Sequence, residues 1–157
     1  MLDTKGRYTV IRDTREKSGQ GWSYSPSTSC NGTLIQKLDT GDYSLLGYEK
    51  ILTIERKGSI TEFAGNIVQE RFERELERLM EFKYRFIILE FSVGKIMSYP
   101  QGSGLPPYLV KKARISGNFI MSKIVNYQMQ YDIPIIIADQ YGKEIASHIF
   151  KNVVKNE

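Results

Sequence analysis

Apolar positions along this chain follow two periods, and the places where one gives way to the other mark out its elements. Over residues 7–12, Tyr8, Val10 and the β-branched Thr9 and Ile11 form a strand pattern that ends at Asp13-Thr14-Arg15-Glu16. Further strands are predicted over residues 33–38, 43–46 and 51–57, the first two separated by the turn residues Asp39-Thr40-Gly41-Asp42. Side chains alternate across a strand, so Ile51, Thr53, Glu55 and Lys57 share one face while Arg56 takes the other. From Ser59 the period lengthens. Ile60, Phe63, Ala64, Ile67, Val68, Phe72, Leu76 and Leu79 recur at intervals of three and four, which predicts one amphipathic helix over residues 59–82. Ser59 suits its N-cap, and Glu62 completes a capping box. Residues 85–91 read as an apolar strand, 108–131 as a helix with a candidate break at Ser116-Gly117, 133–138 as a buried strand and 142–154 as a closing helix.

Two stretches follow neither period. Residues 17–33, rich in Ser, Gly, Thr and Asn around Pro26, are expected to form a mobile loop that carries Trp22, Tyr24 and Cys30. Residues 94–107, with three prolines and three glycines, are expected to be irregular and form a candidate flap. The resulting order β-β-β-β-α-β-α-β-α predicts an α/β fold, a mixed central β-sheet flanked by helices on both faces.

Composition narrows the chemistry more than the architecture. With 157 residues, 41% of them hydrophobic, one core suffices and residues 1–157 are read as a single domain. The apolar runs fall far short of the roughly 20 residues that cross a bilayer. The opening Met1-Leu2-Asp3-Thr4-Lys5 lacks the basic-then-apolar order of a secretory signal, so no membrane role and a cytoplasmic location are expected. Cys30 and His148 are the only residues of their kinds, which excludes an internal disulfide, a thiolate zinc cluster and a multi-histidine metal site. Any metal would need oxygen ligands. A balance of 22 Lys and Arg against 18 Asp and Glu gives +4, a mild excess that favours a polyanionic partner without proving one.

The sharpest chemical feature is Asp42, thirteen residues before Glu55, with Lys57 two positions further along the same strand face. Two carboxylates at a sheet edge supply hard oxygen donors for Mg²⁺, and a lysine beside them can orient a water and stabilise charge developing on a phosphate. The same residues also allow a plainer reading, with Asp42 as a turn residue and Glu55–Lys57 as a charge pair on an exposed sheet.

Taken in order, Asp13-Thr14-Arg15-Glu16, Gly41-Asp42-Tyr43, Ile54-Glu55-Arg56-Lys57, Ser59-Ile60-Thr61-Glu62-Phe63 and Arg71 resemble the XPF family of structure-specific nucleases. The resemblance spans about residues 10–91. It implies a restriction-endonuclease-like nuclease core, metal ligands at Asp42 and Glu55, and a catalytic lysine at Lys57. It also implies supporting groups at Asp13 and Glu62, with Arg15, Glu16, Arg56 and Arg71 at further motif positions. Mg²⁺, with Mn²⁺ as a substitute, is the implied cofactor. Branched, flap or junction DNA, partly single-stranded, is the implied substrate, and a homodimer the implied assembly. The expected function is thus a metal-dependent DNA endonuclease of repair or recombination. The alternatives are a non-catalytic DNA- or partner-binding module of the same fold and a sequence-specific restriction-type nuclease. Three positions depart from the family pattern: Gly58 is inserted before the helix, Glu62 replaces the usual Asp, and Glu75 stands where Gln is common. With the sequence read to residue 157, the tandem helix-hairpin-helix domain that many relatives use to grip DNA is not expected.

Other residues carry weaker expectations. Lys17, Arg71, Lys111 and Lys112 are candidate phosphate contacts, although Lys111, Lys112 and Arg114 could equally be a solvated helix face. Trp22 and Tyr24 could stack on unpaired bases or pack over their own domain. His148 is read as structural. Ile145, Ala146, Ile149, Phe150, Val153 and Val154 cover about half of the closing helix, and this stripe is expected to join two copies of the chain.

Overall fold

The computed structural model describes residues 1–16 and 19–157. Strands β1 (Tyr8–Arg12), β2 (Cys30–Ile35), β3 (Tyr43–Leu45) and β4 (Leu52–Lys57) precede helices α1 (Ile60–Asn66) and α2 (Glu70–Leu79). There follow β5 (Tyr84–Leu89), α3 (Val93–Ser98), α4 (Pro107–Lys112), α5 (Gly117–Tyr131), β6 (Ile135–Ile137) and α6 (Gly142–Asn156). The strands form one sheet in the order β2-β1-β3-β4-β5-β6. It is mixed, since β1–β3 and β3–β4 pair antiparallel while β1–β2, β4–β5 and β5–β6 pair parallel.

Alternation along β4 and β5 divides the interior into two cores. Ile87 and Leu89 face a core built with Phe63, Phe72, Leu76, Ile120, Ile124 and Tyr127 from α1, α2 and α5. Leu52, Ile54 and Ile88 face the other, with Tyr8, Trp22, Tyr43, Ala146 and Phe150. Helices therefore cover both faces, as the apolar strands predict.

Several boundaries differ from the sequence expectation. The helix expected over residues 59–82 is two helices, because Asn66, Ile67 and Val68 are weak helix formers and Gln69 takes an extended backbone as the N-cap of α2. The apolar phase is kept across the break, so periodicity alone cannot see it. Ser59 caps α1 as predicted, its hydroxyl accepting from the Glu62 N–H at 3.1 Å. The first part of the expected irregular segment is α3, whose N-cap Ser92 accepts from the Lys95 N–H. The helix expected over 108–131 divides into α4 and α5, with Ser116 as the N-cap of α5. Gly117 is needed there, since a Cβ would lie 2.3 Å from the Ile96 carbonyl oxygen of α3.

The segment ahead of β2 is packed where it is described. Trp22 is 5% exposed and stacks on Tyr43 with ring centroids 4.5 Å apart, and its backbone N–H donates to the Tyr43 hydroxyl. Tyr24 meets Phe150 edge-on and donates its hydroxyl to the Lys143 carbonyl. Of the two readings of these aromatics, packing over their own domain is the one observed. The α6 stripe likewise lies on the sheet: Ala146, Ile149, Phe150 and Val153 are buried, with Phe150 fully covered. Phe150 is therefore a core residue and not an exposed dimer contact. No helix is long and apolar enough to cross a membrane among the described residues.

Candidate active site

The turn before β3 is shaped to bring Asp42 against β4. Gly41 has φ +82° and approaches β4 so closely that a Cβ would meet Thr53 Oγ1 at 2.1 Å, so glycine is required on both counts. The Asp42 N–H donates to the Ile54 carbonyl at 2.8 Å, and its carbonyl accepts from the Asp13 N–H at 2.8 Å. Asp42 Oδ2 accepts the Arg56 backbone N–H at 2.8 Å. These bonds aim the carboxylate at Glu55 on the adjacent strand.

Glu55 and Lys57 point to one side of β4, and Lys57 Nζ lies 3.3 Å from Glu55 Oε1. The ammonium also sits 5.3 Å from the centroid of the Phe72 ring, a cation–π contact that walls it from solvent. A cavity of about 220 Å³ opens beside the pair, lined by Asp13, Arg15, Asp42, Glu55, Glu75 and Arg78. A larger cleft of about 730 Å³ lies across the Asp39–Thr40 turn, lined by Lys37, Asp39, Glu49, Lys50 and Glu81 and by none of Asp42, Glu55 and Lys57.

Electrostatics set this cavity apart. Burial raises Asp42 well above the ordinary carboxylate range, and the charges of Glu55 and Glu16 push it further than the Arg56 N–H pulls it back. Burial also raises Glu55, with Glu75 adding to the rise and Lys57 opposing it. Lys57 is pulled down by burial, yet Glu55, Glu75, Glu62 and Asp42 outweigh this, so it holds its proton more firmly than a free lysine. The cavity is thus lined by more acids than Arg15, Arg78 and the adjacent Lys57 can neutralise. A hard cation would relieve that excess, and Asp42 and Glu55 are the side chains placed to hold one. Among the described residues no three His, Cys, Asp or Glu side chains converge into a closed cage. A site with two protein carboxylates and open positions suits Mg²⁺, which keeps several waters.

The opposite side of β4 is built differently. Arg56, 8% exposed at its side chain, donates from Nε to Glu16 Oε2 and from Nη1 to Glu90 Oε1, both at 2.8 Å. Glu90 Oε2 accepts the Trp22 indole N–H at 3.2 Å. Arg56, Glu16 and Glu90 are thus paired with one another.

The ERCC4 domain family matches residues 12–151, nearly the whole length. The chain belongs to that family. No curated protein matches the sequence. Two solved structures share the fold. One is XPF from Aeropyrum pernix in complex with DNA, with a TM-score of 0.65, 21% identity, and coverage of 96% of this chain and 67% of that chain. The other is XPF from Aeropyrum pernix, with a TM-score of 0.62, 20% identity, and coverage of 95% and 62%. The chain therefore spans about two thirds of each of these relatives, and its mixed sheet with flanking helices is that of the XPF nuclease domain.

Within this ERCC4 domain, the predicted residues fall into three groups. Asp42 and Glu55 line one cavity with Asp13 and Arg15, and Lys57 stands beside it, paired with Glu55. Asp13 is buried, and Arg15 and the Leu38 N–H hold it below the ordinary range although burial opposes them; its Oδ2 accepts from Arg15 Nε at 2.7 Å. Glu16 and Arg56 lie on the other side of β4, where Glu16 reaches Asp42 by its charge and Arg56 by its backbone N–H. Glu62 and Arg71 are exposed, Glu62 at the start of α1 facing Lys57 electrostatically, and Arg71 bonded to Gln69. Lys111 and Lys112 are exposed on α4, and Lys17 lies outside the described residues.

Glu75 and Arg78 reach the cavity from α2 without having been singled out as site residues. Their signal was available in the helical period, because Phe72, Leu76 and Leu79 define the inward face and positions 75 and 78 flank it. Glu90 was missed because its role depends on Arg56 two strand positions away in space.

Proposed function

We propose that this chain is a divalent-metal-dependent DNA endonuclease that hydrolyses phosphodiesters at branched, flap or junction structures in repair or recombination. The observation that carries this reading is the convergence of Asp42 and Glu55 on one cavity with Lys57 paired to Glu55 beside it, the two carboxylates held against their tendency to ionise. Membership of the ERCC4 domain family and a fold shared with an XPF solved with DNA support DNA as the substrate.

A Mg²⁺ ion, or Mn²⁺ in its place, would be held by Asp42 and Glu55 and would supply Lewis acidity and a lowered pKa for water. Lys57 would donate its ammonium hydrogens to the attacking water and to the phosphate oxygens as charge gathers on phosphorus. Phe72 limits solvent around that ammonium, which strengthens its pull. Arg15 and Arg78 at the rim would receive the flanking phosphates, with Asp13 fixing the angle of Arg15. One bond forms between the water oxygen and phosphorus, one phosphorus–oxygen bond breaks, the water's proton passes to solvent, and the departing sugar oxygen takes up a proton from solvent to leave as a hydroxyl.

The same reading includes a homodimer. Because the α6 stripe is occupied by the sheet, the contact would use its flank, where a cleft of about 350 Å³ is lined by Tyr84, Phe86, Ile145 and His148. Sedimentation of the wild-type chain as a monomer at micromolar concentration would remove this part alone.

The test is cleavage of labelled linear, flapped, forked and four-way DNAs with Mg²⁺, with Mn²⁺ and with chelator. Metal-dependent cutting of branched substrates is expected. Binding without cutting under every metal condition would leave a DNA-binding module and end the enzymatic reading. Cutting of linear duplex at a fixed sequence would point to the restriction-type alternative.

A further inference from the structure

Away from that cavity, charge is concentrated in the segment that joins β5 to β6. Residues 91–131 hold five of the chain's 22 cations, Lys95, Lys111, Lys112, Arg114 and Lys123, and none of its 18 acids. That leaves 17 cations against 18 acids elsewhere, so the net charge of +4 comes entirely from this stretch.

Tyr108, Lys111 and Lys112 share one face of α4 at helical spacing, and Arg114 and Phe119 follow on the turn into α5. The start of α5 lies directly on the backbone of α3 at Gly117, and a cleft of about 660 Å³ opens between the helices, lined by Tyr99, Pro100, Val110, Arg114, Ile115 and Phe119. Lys95, Lys111, Lys112 and Arg114 are exposed, and none of them pairs with a carboxylate among the described residues. Two aromatics stand among them. Tyr108 is 62% exposed and Phe119 is 39% exposed, the latter with Lys123 Nζ 5.6 Å from its ring centroid. Thr61 donates its hydroxyl to the Ser103 carbonyl at 3.3 Å, which ties the segment before α4 to the first turn of α1, four residues after Lys57.

We infer that this surface holds the unpaired strand of a branched DNA, with phosphates on Lys111, Lys112 and Arg114 and bases stacked on Tyr108 and Phe119. The inference rests on the nuclease reading and says where that enzyme grips its substrate. Cations without acidic neighbours fit a polyanion, whereas the aromatic rings add affinity only for bases whose faces are free. A strand running over Thr61 and Ser103 would leave the paired part of the substrate at the cavity edge.

Fluorescence anisotropy in chelator, so that nothing is cut, tests this with a forked DNA, a single strand and a blunt duplex. The triple variant Lys111→Glu, Lys112→Glu, Arg114→Glu should weaken binding of the fork and single strand at least tenfold and flatten the salt dependence by about two contacts. The double variant Tyr108→Ala, Phe119→Ala should weaken both by roughly tenfold, leave blunt duplex within about twofold, and keep the salt slope. Because Phe119 is partly covered, Tyr108→Ser alone serves as the control for folding and should lose part of the same preference. Equal losses on fork and blunt duplex, or wild-type binding by these variants, would overturn the inference. So would an absence of DNA binding by the wild type, or a preference for vesicles of anionic phospholipid over DNA. Failure of the nuclease reading shows up separately, as a wild-type chain that grips the fork through this face but never cuts it.

Discussion

The two faces of β4 use neighbouring residues to opposite ends. Toward α6, Arg56 is fully engaged by Glu16 and Glu90 above the apolar Leu52 and Ile54, so burial and charge pairing agree. Toward α2, Glu55 and Asp42 share one lysine, and burial drives both carboxylates toward protonation. The Arg56 cluster pairs its charges, and the cavity side is left short of positive charge. The two are also joined, because the Arg56 backbone N–H bonds Asp42 Oδ2 while its guanidinium is locked behind the strand. The satisfied face holds the unsatisfied one in place, which is how a marginally stable domain can keep a strained site.

The largest expected effect would break the active side alone. Glu55→Gln or Lys57→Ala should reduce cleavage by about 10²–10³-fold or more while leaving the circular dichroism spectrum intact. Near wild-type turnover in either variant would mean that this face is an ordinary charge pair. Next comes the opposite side, where Arg56→Ala should cost about 3–5 kcal/mol in urea unfolding, since two largely buried carboxylates lose their partner. A loss of activity with unchanged stability would instead place Arg56 in the chemistry.

Asp13→Ala should cost less, about 1–3 kcal/mol, chiefly by stranding the buried Leu38 N–H that Asp13 Oδ1 accepts at 2.7 Å. Its carboxyl is held below the ordinary range, so the stability it adds is present above the unfolded-state value near 4 and fades as pH falls further. The penalty of the variant should shrink in acid.

The smallest effect sharpens the contrast, because Asp42 runs the other way. Its raised folded-state value means that the carboxyl favours folding below the ordinary range and loses that contribution as pH rises through the raised value. In the metal-free protein, Asp42→Asn should therefore raise the melting temperature by roughly 2–5 °C at pH 8, with the difference vanishing below about pH 4. Divalent metal should close the gap by stabilising the wild type more than the variant. A variant less stable than wild type at pH 8 without metal would show that the two carboxylates are not in conflict.

Much of this could be read along the chain. Alternation in residues 52–57 placed Glu55 and Lys57 on one face and Arg56 on the other, and the spacing of apolar residues from Ile60 to Leu79 marked the inward helical face, though as one helix where the fold has two. The glycine before Asp42 signalled the turn that delivers it, and Ser59 with Glu62 marked the start of α1. These features are local, set by the periods of strand and helix and by backbone constraints within a few residues. Tertiary structure alone decided the rest. Nothing in the sequence says that Glu90 closes on Arg56 or that Trp22 leaves its loop to stack on Tyr43. Nor does the sequence alone show that the α6 stripe meets the sheet rather than a second chain. An apolar stripe specifies that it must be covered but not by what, and a charge finds its partner only when the strand order brings distant segments together.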